Sequence, residues 1–255
     1  MEEFAKKENF LLNYENHLIK LFEKFWGKIE IEYDKLDAYS VIGGLLSRQV
    51  TLSIEMARSP NIWNGHSAPL FLRAMIDLFI ALAWIMNDLE TRAKQYILHG
   101  LGDKKLLLEH YKASQLEEFS ENRELLIESC SQWINSQRNE HMVEVNLGNW
   151  AQLDYRQMAK ETGHEDLYNF SYKPFSHASH NMWPHISMYN SKICNNPLHK
   201  KHFIPTLIDT ELDFYYLHLS CKYLDMTYQL FVDKFSLTLT EPLPLDWLEE
   251  HLNNQ

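Results

Sequence analysis

An arginine and an aspartate lie four residues apart at the start of the most apolar stretch of the chain. Arg73 and Asp77 share one helical face, because residues at this spacing are neighbours about one turn apart. A charge in such an apolar setting must be paired, since an unpaired buried charge is very costly. We expect either a buried ion pair that positions this helix, or an Arg73 guanidinium that faces a polar cleft and binds a phosphate or carboxylate.

A second arginine, Arg92, precedes His99 by seven residues, close to two helical turns, so the two side chains share a face. When the 2′-hydroxyl of RNA attacks the neighbouring phosphate, a histidine can move the proton and an arginine can stabilise the developing charge. The spacing resembles the Arg-x(4–6)-His pattern of HEPN ribonucleases, a superfamily of helical RNA-cleaving toxins and defence effectors. Those proteins often have a polar residue directly after the arginine, where this chain has Ala93. A surface or structural role of the pair is the alternative.

Three histidines follow one another closely in the second half of the chain, at His177, His180 and His185. Three histidines can bind a metal, but zinc sites usually add cysteine or carboxylate ligands at set spacing. No such cluster accompanies these three, so the sequence predicts no metal and no cofactor. The open alternatives are hydrogen-bonded polar histidines at a helix start and a catalytic histidine that faces a phosphate.

The chain carries a formal net charge of −11, and its one basic run lies between Lys192 and His202. An acidic surface repels nucleic acid at long range, which argues against a general nucleic-acid binder and against DNA as a partner. Lys200 and Lys201 remain candidate RNA contacts, and a solvated loop is the alternative.

Three cysteines, Cys130, Cys194 and Cys221, form no paired spacing. They indicate reduced thiols in a cytoplasmic setting rather than a disulfide framework or a zinc site. The N-terminus is charged and lacks the apolar core of a signal peptide. The apolar run from Leu78 to Met86 is much shorter than the roughly 20 residues that span a bilayer. We therefore expect a cytoplasmic protein without a membrane segment.

Long helices must position these residues, because the chain has only eight glycines and eight prolines to end them. Apolar residues at helical spacing predict a single-domain, all-α, multi-helix bundle. The predicted helices cover residues 4–33, 37–58, 70–87, 89–102, 104–119, 122–140, 150–161, 175–189 and 206–235. The predicted domain organisation is an N-terminal helical extension at 1–36, a helical core domain at 37–235 and a C-terminal tail at 236–255.

Three segments between or after the helices are predicted to be non-helical. A linking loop is expected at 141–149, an irregular stretch at 168–174 and a further loop at 190–205. The tail after Ser236 is expected to be extended, with Trp247 as a single anchor.

Three motifs along the chain resemble those of one bacterial family. They are Leu72-Arg73 followed by Asp77, then Arg92 followed by Tyr96, and then Tyr172 followed by Ser176-His177. Together they are similar to an uncharacterised helical family, the domain of unknown function fifty-six seventy-seven, over roughly residues 38–235. Asp77 stands where that family more often has glutamate. Aspartate has the same charge but a shorter side chain.

The resemblance implies that five residues converge: Arg73, Asp77, Arg92, Tyr172 and His177. It also implies kinship with HEPN-like domains and an anti-phage or toxin context. The leading hypothesis is then an HEPN-like, metal-independent ribonuclease effector that acts as a homodimer. In it, Arg73 or Arg92 contacts the scissile phosphate, and His177 or His99 transfers the proton. Tyr172 orients a phosphate oxygen or a water molecule.

The competing hypothesis is a non-catalytic helical module that binds a partner protein, with a structural network of arginine, aspartate and histidine. A third hypothesis is a metal site made of His177, His180 and His185.

Overall fold

The computed structural model describes residues 2–113, 122–138, 151, 153–208 and 210–252, and most of these residues are helical. The helices in chain order are α1 (Glu2–Trp26), α2 (Leu36–Arg58), α3 (Ala68–Asn87), α4 (Leu89–Ala113), α5 (Arg123–Arg138), α6 (Tyr155–Glu161), α7 (Glu165–Leu167), α8 (Lys173–Ser179), α9 (Trp183–Tyr189), α10 (Tyr215–Phe235) and α11 (Pro244–Leu252). Single 3₁₀ turns lie at Tyr33–Lys35 and Pro60–Ile62. Strands β1 (Ser191–Ile193) and β2 (Phe203–Pro205) form a two-stranded antiparallel sheet. The prediction of an all-α fold is confirmed.

Helix α3 is the centre of the fold and packs against α2, α6, α8 and α10. Every residue from Leu78 to Met86 is buried, since this stretch is apolar on all faces. By length and composition alone α3 could span a membrane, but 72% of its apolar window is buried inside the protein, as in a core helix. The two charged side chains of α3, Arg73 and Asp77, therefore lie next to the densest part of the core.

The two ends of the chain contribute side chains to the same core as α2, α3 and α10. Tyr14 and Phe25 of α1 are almost fully buried there, and so is Trp247 of α11. The expectation of an extended tail is wrong for residues 244–252, which form α11. Pro244 opens this helix, where the missing N–H costs nothing, and burial of Trp247 against α1 favours the helical conformation. Trp247 is buried as predicted, and Leu248 beside it is a second buried anchor, so Trp247 does not act alone.

Other segments differ from the sequence-based expectation in three places. Helix α4 runs without a break through Gly100 and Gly102, where two helices were predicted. Residues 168–174 are helical rather than irregular, because Pro174 occupies the first turn of α8. The predicted loop at 190–205 contains the β1–β2 hairpin, and the last long helix begins at Tyr215 rather than at 206. The loop predicted at 141–149 lies outside the described residues.

Candidate functional site

Arg73 is held on three sides by residues of its own chain. Its guanidinium pairs with the Asp77 carboxylate one turn later on α3. Its Nε donates a hydrogen bond to Ser176 Oγ at 2.6 Å, and its Cζ lies 3.3 Å from the centroid of the Tyr172 ring. Only 12% of the Arg73 side chain is exposed. We call these four residues the Arg73 network, which ties α3 to the segment that leads into α8.

A five-residue π-helical turn, Tyr168–Tyr172, positions the far side of the Arg73 network. Such turns often occur at functional sites. The rings of Tyr168 and Tyr172 stack with their centroids 4.5 Å apart, and the Tyr155 ring lies 5.8 Å from Tyr172. The Ser176 hydroxyl donates to the Tyr172 carbonyl at 2.8 Å, which leaves its oxygen lone pairs free to accept from Arg73.

Burial sets the proton affinities of the groups around Arg73. It raises the pKa of Asp77 above its usual range, although Arg73 and a hydrogen bond from Tyr172 favour the charged form. Burial also raises the pKa of Tyr155 to about 12, and the negative charge of Asp77 adds to this. The pKa of Tyr172 rises for the same two reasons. Both phenols therefore stay protonated at neutral pH, when Arg73 and Asp77 form a pair of opposite charges.

Arg92 belongs to a separate cluster at the other end of α3. Its Cζ lies 3.8 Å from the centroid of the Trp84 ring, and its Nη1 donates to the Trp84 carbonyl at 2.6 Å. Its Nη2 is 3.6 Å from Glu161 Oε2, the oxygen that also accepts a hydrogen bond from Trp84 Nε1 at 2.7 Å. Arg92 thus links α3, α4 and α6. Trp84 and Glu161 were not predicted as site residues, although a buried indole N–H needs an acceptor.

The predicted histidines are not joined to either arginine by a described contact. His99 has its Nδ1 3.6 Å from Asp103 Oδ2 on the same helix. His177 lies close enough to His185 to contribute to the lowering of the His185 pKa, whose main cause is burial. His180 is exposed, and its proximity tends to lower the pKa of Asp77, against the larger effect of burial.

Among the described residues, the ligand atoms of His177, His180 and His185, the alternative metal site, do not form a cluster. Those of Cys194, His199 and His202 do. The candidate RNA contacts Lys200 and Lys201 are exposed in the turn between β1 and β2.

A pocket of about 200 Å³ lies between the start of α2 and the start of α4. Residues 33–38, Glu90 and Lys94 line this pocket. It includes none of the residues that the sequence analysis assigned to a site. The Arg73 network is therefore not part of this pocket.

The fold and the network define an all-α protein organised around a largely buried arginine–aspartate pair. A family model, described as a family of unknown function (DUF5677), matches residues 39–197. The match covers more than half of the chain, so the protein belongs to this family. The resemblance drawn from the sequence is confirmed, and kinship with HEPN domains stays a prediction. Comparisons with curated proteins and with solved structures found no match.

Proposed function

We propose that this protein is a non-catalytic, helical interaction module that acts as a homodimer. The observation that carries the proposal is a concentration of exposed apolar side chains between α9 and the start of α10. They are Trp183, Met188, Ile193, Leu198, Phe203, Leu207, Leu212 and Tyr215. We call this region the 183–215 surface. Apolar patches of this kind on a folded protein usually mark an interaction site.

Contacts within the 183–215 surface hold several of its side chains in one place. Ile193 and Phe203 are directly opposite each other across the β1–β2 pair, so they share a face of the sheet. The Phe203 ring also contacts the Trp183 ring of α9, with centroids 5.6 Å apart. Leu198 and Leu207 are almost fully exposed, at 87% and 97%. Burial against a partner would remove this area from water, which favours association.

The charges around the 183–215 surface favour a second copy of the chain as the partner. Lys192, Lys200 and Lys201 lie exposed on the hairpin, and Glu211 and Asp213 lie exposed shortly before α10. In a twofold dimer the same patch meets itself, so that each residue contacts a residue elsewhere in the same patch. Because the region carries both cations and carboxylates, charges of one copy can pair with opposite charges of the other.

The two arginine clusters support a structural role rather than a catalytic one. Arg73 already has Asp77, Ser176 and Tyr172 as partners. In the same way, Arg92 is held by two partners, Trp84 and Glu161. These contacts hold both guanidinium groups against their own chain, and Arg73 keeps only 12% of its side chain exposed.

The mass of the protein in solution tests the dimer. Light scattering or ultracentrifugation at micromolar concentration should give twice the 30.3 kDa of one chain. The double variant Leu198→Asp/Leu207→Asp should be a monomer with an unchanged circular dichroism spectrum. The matched control is Leu125→Asp on α5, which adds a charge at another exposed leucine and should stay dimeric. A monomeric wild-type protein, or equal loss in the control, would overturn the proposal.

A second candidate function is an HEPN-like, metal-independent ribonuclease in a bacterial anti-phage or toxin system, located in the cytoplasm. The observation in its favour is that Arg92 and His99 lie on one helix and keep 21% and 28% of their side chains exposed. HEPN-type sites commonly form across a dimer, so the 183–215 surface is compatible with this candidate. RNA is the expected substrate, and DNA should survive because it lacks the 2′-hydroxyl.

RNA degradation in EDTA tests the ribonuclease candidate. His99→Ala and His177→Ala are the informative variants, since a general acid or base contributes about 10²–10⁴-fold in rate. His110→Ala is the matched control, because His110 is exposed on the same helix as His99. Arg92→Ala would also remove the stack on Trp84, so it needs a parallel measurement of thermal stability. Cleavage that neither histidine variant reduces would exclude these residues.

A further inference from the structure

The turn of the β1–β2 hairpin brings one cysteine and two histidines together. Cys194 directly follows β1, and His202 directly precedes β2. The Cys194 N–H donates to the His202 carbonyl at 2.8 Å, which extends the pairing of the strands by one step. The ligand atoms of Cys194, His199 and His202 all lie within 4.8 Å of one another. These three residues are the one such group among the described residues.

We propose that Cys194, His199 and His202 bind a zinc ion, with water as the fourth ligand. Zinc takes thiolate and imidazole ligands in tetrahedral geometry, at about 2.3 Å to sulfur and about 2.0–2.1 Å to nitrogen. Two such ligands are then roughly 3.6 Å apart. The observed separation of Cys194 Sγ and His199 Nδ1 is 3.7 Å, so an ion fits between them with little movement. His202 is exposed and its ring lies 5.3 Å from the His199 ring, so a rotation brings it to the third position.

Neighbouring groups hold the thiol and the His199 ring in place. Asn196 Nδ2 can only donate, and it lies 3.3 Å from His199 Nε2, so in this arrangement Nε2 accepts and Nδ1 carries the proton that faces the thiol. Zinc binding through Nδ1 therefore requires this proton to leave Nδ1, and the contact with Asn196 ends when Nε2 becomes protonated. The Asn196 side chain is itself fixed, because its Oδ1 accepts the N–H of Leu198 at 3.0 Å. The backbone N–H of Asn196 donates to Cys194 Sγ at 3.5 Å.

A metal at the turn would add to the stability of the hairpin, which also packs against α9 through β1 and Phe203. Its strands are only three residues long, and an isolated two-stranded hairpin is marginally stable in water. An ion held by Cys194 and His202 joins the ends of both strands at the turn. The Cys194 thiol loses its proton when the metal binds, so sulfur coordination is coupled to proton release. The proposal concerns this turn alone and does not depend on the dimer or on ribonuclease activity.

Titration of the full chain with zinc alone tests the site. Protein stripped of metal with a chelator should bind one equivalent of zinc in calorimetry. Cobalt in place of zinc should give the absorption of a thiolate–cobalt bond. Cys194→Ser should abolish that absorption, and His199→Ala or His202→Ala should weaken zinc binding at least tenfold.

Two controls test whether zinc binds at this turn and not elsewhere on the chain. His180→Ala should bind zinc like the wild type, and loss of binding in that variant would move the metal to the other histidine group. Zinc should also slow alkylation of Cys194 by a maleimide. The reagent reports on Cys194, because this residue is partly exposed whereas Cys130 and Cys221 are buried. Absence of saturable binding, or thiolate–cobalt absorption that persists in Cys194→Ser, would overturn the proposal.

Discussion

The Arg73 guanidinium lies over the Tyr172 ring, with Cζ 3.3 Å from the ring centroid. The ring, the Asp77 carboxylate and the Ser176 hydroxyl together surround a cation that is nearly out of solvent. A cation over an aromatic face contributes about 2 kcal/mol when the pair is desolvated. The contact connects α3 to the π-helical turn, so we expect it to stabilise the packing of these two elements.

Replacement of Arg73 by alanine should destabilise the fold. It leaves Asp77 largely buried without a counter-charge and removes the stack on Tyr172. We expect a loss of about 3 kcal/mol in the free energy of unfolding, the lower end of the range for a broken buried pair, because Asp77 keeps some exposure. Urea denaturation measures this loss.

The matched control for this experiment is Arg58→Ala. Arg58 pairs with Glu15 and Glu55 at the surface, and such pairs contribute about 0–1 kcal/mol. Equal losses in the free energy of unfolding would show that the Arg73–Asp77 pair stabilises the fold no more than a surface pair does.

Two adjacent glycines in α2 should respond to alanine with opposite signs. A Cβ at Gly43 would lie 2.6 Å from the Trp26 ring of α1, whereas a Cβ at Gly44 would meet nothing within 4 Å. Gly44→Ala should raise the free energy of unfolding by about 0.5–1 kcal/mol, the usual gain within a helix. Gly43→Ala should lower it by about 1–3 kcal/mol, the range for an overpacked core. Thermal denaturation of both variants checks the signs, and stabilisation by Gly43→Ala would contradict the observed packing of α1.

Asp225 should contribute a loss of stability as pH rises from about 4 to about 7. Burial raises the pKa of Asp225 to about 7, and the nearby charges of Asp246 and Glu249 add to this, while the N–H of Leu245 opposes it. The folded state therefore holds a proton that the unfolded state releases, and this favours unfolding at higher pH.

Asp225→Asn should remove this pH dependence and stabilise the protein at pH 8. A rise of the Asp225 pKa from 3.8 to about 7 corresponds to at most about 4 kcal/mol in the free energy of unfolding. The measurement is urea denaturation of wild type and variant at pH 4 and at pH 8. The quantity compared is the difference in free energy of unfolding between the two proteins at each pH. Asp233→Asn, on the exposed side of the same helix, serves as control. A constant difference across pH would mean that Asp225 titrates normally.

Trp247 should be the residue that holds the C-terminal helix in place. Its ring contacts Phe10 and Tyr14 of α1 and stacks on His251, with centroids 3.8 Å apart in the last case. Trp247→Ala should cost about 3–5 kcal/mol, the usual range for a large core aromatic. Leu252→Ala, at an exposed position of the same helix, should have little effect. In limited proteolysis, the C-terminal tail should be cut faster in Trp247→Ala than in Leu252→Ala. Equal resistance of the two variants would argue against Trp247 as an anchor.

The sequence by itself determined the features that depend on neighbours along the chain. Apolar residues at helical spacing predicted most helices and the central position of α3, because helical periodicity is a local property. The Arg73–Asp77 pairing was predictable for the same reason, since both residues lie on one face of one helix. The family assignment also came from short local motifs.

Only the tertiary structure decided which distant groups meet. Ser176 reaches Arg73, and Glu161 reaches Trp84 and Arg92, because α8 and α6 pack against α3. The Gly43–Trp26 contact likewise depends on how α1 crosses α2.

The cysteine and histidines of the hairpin show the same limit at short range. A single cysteine has no metal-site spacing of its own, and the pairing of β1 with β2 brings His202 back to Cys194. The spacing of Pro244, Trp247 and Leu248 is itself helical, but only the structure shows that these residues are buried in the core. Contacts between elements depend on the packing of whole faces, and a single sequence encodes those faces without stating which of them meet.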